Sequence, residues 1–538
     1  MPLDCLVSGR IATFAGAEGF GWVEAIGVKD GHVAFAGSAV DLETRADPHT
    51  QRFVLEPDEI AIPGLTDAHL HLADTAIAAQ AVDLTAARTL DQGLAAIKAA
   101  ARDLGPDHWL VGAGWDHRRW GRWPSSSDLE PVIAGRKAVL WSAGYHAIWV
   151  SLAAMREAGI DAAVTDPPGG VIRRAASGEP DGLLLENACS LVTRHIPAPA
   201  DDIVEHAIVE LAEELLRFGI VGGHDPGGLT SDPTLHDLEV LGRLADRGDL
   251  PIRVHAGIRA VGLTLARERG LRSGAPLGGD PGNAARLGWL KLFADGTLGS
   301  QTAALLEPRE GSDDRGVMTT GPEELTELAA TAAAAGIATE IHAIGDAAVR
   351  VALDALAPTV AGVPFMPRLE HVQLCRPEDR ARFGPLGIGA SVQPVHLRED
   401  AATARRDWGA RAERDGYAWG SLLEAGAVLA FGTDAPIEPV DPWPGIALGV
   451  LRRDPSWGAD AEPFGPDEAL TLEEALRAAT VGPARLTRDE HGGRLIPGAP
   501  ADLIVLPAAP REPGERAATF AAVRPRLVLV GGRALVER

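Results

Sequence analysis

Cysteine is scarce in this 538-residue chain, with Cys5, Cys189 and Cys375 as the only three. They are too few and too scattered for a disulfide framework or a thiolate metal site. No run of about 18 apolar residues is present to span a membrane. The chain start lacks the basic segment and apolar core of a secretory signal, so a cytoplasmic address is expected. Positive charge is in deficit, at a formal net charge of −25. Nucleic acid and anionic membrane surfaces would repel such a chain and are excluded as partners. Lysine is rarest among the basic residues. Only Lys29, Lys98, Lys137 and Lys291 occur among 50, and the rest are arginine.

What is present is an ordinary globular composition, 46% hydrophobic and 23% charged. The length exceeds what one hydrophobic core usually supports, so two or three domains are expected. The first 60 residues read as short strands, with Asp30-Gly31 as a hairpin turn. The C-terminus repeats that idiom in ADLIVLP and RPRLVLVGGRALVER, with Gly531-Gly532 as a second turn. Neither end suffices for a domain, so residues 1–60 and 485–538 are expected to pair into one composite β domain.

The middle alternates strand and helix patterns, which implies parallel βα units. Strands are expected at Ile60–Leu72, Ile220–Asp225, Ile252–Ile258, Gly288–Ala294, Ile337–Ala343, Pro367–Val372, Ile388–Gln393 and Val428–Asp434. Helices are expected at Asp202–Phe218, Pro233–Arg247, Pro322–Ala335, Asp346–Ala357 and Arg411–Ala425, and another begins at the capping-box spacing Thr471 to Glu474. Eight such units point to an α/β fold, a (β/α)8 TIM-like barrel over residues 61–84 and 199–484. Residues 85–198 are too long for a crossover and read as an inserted α/β subdomain on the ligand-binding face. Within it, Trp115 and Asp116 open the aromatic cluster WDHRRWGRW, which could line a pocket or pack a surface.

Ionisable residues stand in apolar strand sequence at or near the C-terminal ends of five of these strands. IAIPGLTDAHLHLAD presents His69 and His71, two apart and therefore on one face of an extended segment. Lys291 lies in WLKLFADG, His342 in ATEIHAIGD, His371 in RLEHVQ and Asp434 in VLAFGTDAP. Barrel enzymes assemble active sites at that end from several strands. Burying these groups without compensation would cost several kcal/mol each, and a metal ion is the simplest partner for four imidazoles and a carboxylate. Lys291 could instead form a salt bridge, for example with Asp295. In a chain that favours arginine, however, a buried lysine suggests chemistry that arginine cannot do. A desolvated amine deprotonates readily and can add CO2 to become a carbamate.

With PGLTDAHLHL, KLFADGTLGSQTAAL, EIHAIGDAAV, RLEHVQ, SVQPVH, FGTDAPIEPVDPW, LTLEEALRAAT and GGRLIPGAPADLIVL, nearly the whole chain resembles the amidohydrolase superfamily. It is closest to amidohydrolase family 3, which includes N-substituted formamide deformylases. The resemblance implies a metal-bearing barrel, a composite β-sandwich from both termini, and hydrolysis of carbon–nitrogen bonds other than peptide bonds. It implies His69 and His71 on a more buried metal, His342 and His371 on a more exposed one, and carboxylated Lys291 bridging them. Asp434 would bind metal and act as general acid/base for a metal-activated water. Two divalent ions per chain are expected, zinc first, with manganese, iron or cobalt allowed by the N and O ligands. SAGYHAIWVS resembles the family's substrate-side loop, which makes His146 a candidate substrate contact, as is His396. Gln301 stands where the family has a basic residue.

The expected partner is a small-molecule amide, an N-formyl or N-acyl amine, and a homodimer is allowed. One rival is a mononuclear aminohydrolase acting on a heterocycle, which commonly adds a Glu soon after the fifth-strand histidine. Here Ala-Ile-Gly-Asp follows His342, and Lys291 would go unused. A second rival is a non-catalytic metal-binding regulatory barrel, in which Asp434 would have no purpose.

Overall fold

The computed structural model describes residues 3–105, 108–143, 147–167, 170–197, 199–228, 233–279, 284–458, 460–507 and 522–537. It divides into two compact units. One combines residues 1–75 with 208–538, and the other spans residues 76–207.

The larger unit holds an eight-stranded parallel sheet in consecutive order. Its strands are β1 (Leu65–Asp67), β2 (Ile220–Asp225), β3 (Arg253–Arg259), β4 (Ala285–Phe293), β5 (Thr339–Ala343), β6 (Arg368–His371), β7 (Gly389–Val392) and β8 (Val428–Phe431). Just beyond the last rungs, the Ala68 amide donates to the Phe431 carbonyl and the Asp434 amide to the His69 carbonyl, at 2.9 and 2.7 Å. These bonds bring β8 against β1 and close the barrel. The Asp67 carboxylate reinforces the seam by accepting from the amide and hydroxyl of Thr433. Helices such as Asp201–Phe218, Pro322–Ala334 and Asp346–Leu356 alternate with the strands, as parallel pairing requires.

The stretch expected as one strand, Ile60–Leu72, is two. Ile60–Pro63 pairs antiparallel with Leu503–Leu506 in the terminal sheet, whereas β1 enters the barrel parallel to β2. The handover is at Gly64, where a Cβ would lie 2.5 Å from the Val221 side chain. The helix expected over Arg411–Ala425 is also divided, into Ala410–Asp415 and Trp419–Glu424. Gly416, in extended backbone, and Tyr417, at φ 51°, interrupt it.

Strands from both termini form a second eight-stranded sheet. Its order is Arg533–Glu537, Leu527–Val530, Leu503–Leu506, Ile60–Pro63, Cys5–Ala12, Trp22–Lys29 and His32–Gly37, with Gln51–Val54 branching from Cys5–Ala12. Val7, Ile26, Val28, Val505 and Leu527 meet in its core. Asp30-Gly31 and Gly531-Gly532 turn the hairpins, each pair with positive φ, the conformation a tight two-residue turn demands.

The smaller unit has its own six-stranded sheet and core. Leu110–Trp115 lies between Val82–Asp83 and Ala138–Ser142 in parallel, and Ala147–Val150, Pro180–Glu186 and Gly170–Arg174 continue antiparallel. Leu90–Asp103 and Ser126–Ile133 pack their apolar faces on it. Among the described residues no helix is long and apolar enough to cross a membrane.

Candidate metal centre

The carboxyl ends of the barrel strands surround a cavity of about 420 Å3, and His69, His71, Lys291, His342, His371 and Asp434 all line it. Each is at most 7% exposed. Ring centroids lie 4.5 Å apart for His342 and His371, 5.3 Å for His69 and His371, and 5.5 Å for His69 and His71. Ligand atoms of His69, His371 and Asp434 fall within 4.8 Å of one another. Residues up to 365 positions apart therefore meet in one site.

The hydrogen bonds assign a tautomer to every imidazole. His69 Nδ1–H donates to Glu370 Oε2 at 2.6 Å, and His71 Nδ1–H to the Gly227 carbonyl at 2.7 Å. His342 Nε2–H donates to the Gly296 carbonyl at 3.0 Å, and His371 Nδ1–H to Gln393 Oε1 at 2.7 Å. One nitrogen of each ring is thus consumed by a protein acceptor. The other, Nε2 in His69 and His371 and Nδ1 in His342, keeps its lone pair, while Nε2 of His71 faces Asp434, which outweighs burial and raises the pKa of that ring. Metal-ligating histidines are held in this manner. Burial, with the positive charge of Lys291 adding to it, pushes His69 and His342 down to about 4. His371 is lowered well below its usual range by burial and then by His342. All three rings are therefore neutral and able to donate at neutral pH.

Asp434 is held at φ 62° by its amide bond to His69. Its Oδ1 lies 3.4 Å from Nε2 of both His69 and His71, and its Oδ2 lies 3.4 Å from His396 Nε2. Burial alone would raise this carboxyl, but His69, His71, His371 and His396 outweigh it and hold it well below the usual carboxylate range. The close approach depends on Gly432, where a Cβ would lie 2.5 Å from the His69 amide nitrogen and 2.7 Å from its Cβ.

Lys291 is 2% exposed, and among the described residues it has no ion pair. Its Nζ sits 3.5 Å from His69 Nε2 and 5.2 Å from the centre of the Phe293 ring. The alternative partner Asp295 is committed elsewhere. It accepts from the amides of Ala304, Ile344 and Gly345, and burial raises it to about 7. Burial lowers the Lys291 ammonium and so favours the neutral amine.

Beneath the site lies a charged layer that is not marked by position at the carboxyl end of a strand. Arg368, fully buried, stacks over Trp289 at 4.0 Å and donates to Glu340. It also lies 2.6 Å from Glu370 Oε1. Glu370 thereby joins Arg368 to His69. Sequence alternation carried a signal, because TEIH and RLEH each place a carboxylate or guanidinium two residues from an inward partner. His371 departs from that alternation, and positive φ at His371 and Val372, 73° and 47°, turns it back into the cavity.

Of the remaining candidates, His396 lines the cavity, with its ring stacked on His371 at 5.8 Å. His146 lies outside the described residues. Trp115 is fully buried in the core of the smaller unit, where its indole donates to the Leu140 carbonyl. It is a packing residue there, with no face left for a ligand. Asp116 follows it, 4.0 Å from His117. Gln301 is exposed and donates to Asp407.

The model of the amidohydrolase family matches residues 58–536. The putative amidohydrolase YtcJ of Bacillus subtilis is 30% identical over 492 residues, covering 90% of this chain and 91% of that protein. The N-substituted formamide deformylase of Arthrobacter pascens is 28% identical over 515 residues, covering 90% of each. The crystal structure of an uncharacterized metal-dependent hydrolase from Pyrococcus furiosus superposes with a TM-score of 0.78 at 25% identity. That match covers 95% of this chain and 99% of the other.

Proposed function

The chain belongs to the amidohydrolase family, hydrolases of carbon–nitrogen bonds, and we propose that it cleaves a small non-peptide amide, an N-formyl or N-acyl amine, with two divalent ions. The reading is carried by the tautomer pattern, in which four buried imidazoles each spend one nitrogen on a protein acceptor and keep the other for the cavity. The donor set fits a metal pair. His69 and His71 would hold one ion and His342 and His371 the other, with Lys291 as a carbamate between them and Asp434 as a further ligand. Zinc suits these N and O ligands, as do manganese, iron and cobalt. When bound, the ions supply a Lewis acid that lowers the pKa of water towards neutrality and polarises the scissile carbonyl.

The chain's own residues do the rest. Asp434, ionised at neutral pH and backed by His396, takes the proton of the attacking water and returns it to the nitrogen of the leaving amine. Glu370 holds the His69 ring in one orientation and one tautomer. The neutral state of the Lys291 amine, favoured by burial, is the form that adds CO2. A carbamate would also add a second anion beside Asp434 among these imidazoles.

The test is a screen of N-formyl and N-acyl amines with added zinc or manganese, following amine release, with Asp434→Ala in parallel. Turnover should fall by about 10²- to 10⁴-fold in the variant with its fold unchanged. Near-wild-type rates in Asp434→Ala would remove Asp434 from the mechanism.

A further inference from the structure

The cavity that holds the proposed metal centre is electrically two-sided. In a closed eight-stranded barrel, strands four places apart face each other, so β3 opposes β7 and β4 opposes β8. At the end of β3, Arg259 lines the cavity. Its guanidinium lies 4.4 Å over the ring of Phe293, which ends β4. One nitrogen donates to the Gly228 carbonyl at 2.9 Å. Among the described residues Arg259 has no carboxylate partner, and its remaining N–H donors have no acceptor. A planar guanidinium left open in this manner suits a bidentate carboxylate.

Across the mouth, the segments after β7 and β8 carry acids. Glu399 and Asp400 sit in the first turn of the helix Leu397–Trp408, Glu438 follows β8, and all three line the cavity. Asp400 is partly engaged, accepting from the Tyr417 hydroxyl at 2.8 Å and Gln373 at 3.1 Å. Among the described residues Glu438 has neither a hydrogen bond nor an ion pair. The two poles thus flank the site of hydrolysis, one with an unmatched cation and the other with an unmatched anion.

Resting on the hydrolase reading above and narrowing it to N-acyl amines, because a formyl group carries no charge, we infer that the substrate is an amide bearing a carboxylate at one end and an ammonium group at the other, the carboxylate held by Arg259 and the ammonium by the Glu438 side. Both charges would enter a partly desolvated cavity. There, a charge-assisted pair is stronger than at a surface, and a missing partner leaves a protein charge unmatched. An uncharged amide would leave both poles unmatched, and a singly charged one would leave one. A cavity of about 420 Å3 falls in the range of small-molecule sites.

The experiment measures calorimetric binding of four ketomethylene isosteres to the intact, metal-loaded protein. They share one skeleton in which CH2 replaces the amide nitrogen, and carry both charges, the carboxylate alone, the ammonium alone, or neither. The doubly charged isostere should bind at least about 10-fold more tightly than either singly charged one. Arg259→Met should erase the advantage conferred by the carboxylate, Arg259→Lys should keep part of it, and Glu438→Gln should erase the advantage conferred by the ammonium. Equal binding of all four, or an unaltered preference in Arg259→Met, would overturn the inference. Amine release from the four matching amides is followed separately. Hydrolysis of all four without charge preference overturns this inference alone, and a charge preference in binding with no hydrolysis overturns the hydrolase reading alone.

Discussion

Replacing Glu370 by Ala should weaken both the barrel and its metal site, and the two losses can be read independently. The Glu370 carboxylate is fully buried. It accepts from His69 Nδ1 at 2.6 Å and pairs with Arg368 at 2.6 Å. Burial would push its pKa up, but Arg368 and His69 hold the carboxyl well below its usual range. The charge-assisted bond to His69 is worth about 1.5–3 kcal/mol. Breaking a buried pair typically costs about 3–5 kcal/mol, because the surviving charge stays buried. Here Arg368 keeps Glu340, so the lower part of that range is expected. The freed His69 ring should then cost about 10- to 100-fold in metal affinity, the usual effect of losing a partner behind a ligating histidine. Stability is read from the unfolding midpoint of the metal-free protein, and affinity from titration against a competing chelator. Glu370→Gln keeps an acceptor for His69 and should recover much of the affinity. A variant that lost stability but bound metal like the wild type would refute the claim that Glu370 orients His69.

Lys291→Ala should lose metal and activity, and a short added carboxylate should restore part of both; full activity without rescue would refute the carbamate. Gly432→Ala should drive a methyl group into the His69 backbone, costing about 1–3 kcal/mol and lowering metal affinity, and unchanged calorimetric and chelator titrations would contradict that close approach. In the metal-free protein, His69 and His342 should stay neutral down to about pH 4. Their folded pKa lies below the unfolded value of about 6.5. The stability they contribute is therefore complete above that pH and lost as pH falls through 4. Imidazole resonances from ¹³C-labelled histidine report this, and titration of either ring near 6.5 would contradict it.

Much of this architecture was legible in the chain. All eight barrel strands fall where apolar runs alternate with helical patterns, because parallel strands buried on both faces read as such runs. The six residues that line the cavity, His69, His71, Lys291, His342, His371 and Asp434, were legible because ionisable residues inside those runs are conspicuous. Other features lay below the resolution of pattern. Residues 60–65 are apolar throughout although they serve two sheets in succession, and hydrophobicity does not mark the change of partner at Gly64. The helix Leu397–Trp408 has no clear apolar stripe to mark it, because half of its sequence, LREDAATARRDW, is charged. Arg368, Glu340 and Glu370 do not stand at the carboxyl ends of strands; they lie a layer below, where charges are buried in mutual pairs. The smaller compact unit spans residues 76–207, and Val82 and Leu84, ahead of the expected insertion at 85–198, join its core.

The most direct test of the account is the metal content of the purified chain, measured by plasma emission spectrometry after removal of loosely bound ions. The account predicts about two divalent ions per chain. A chain that carries no more than trace metal, even after exposure to zinc, manganese, iron and cobalt, would contradict it.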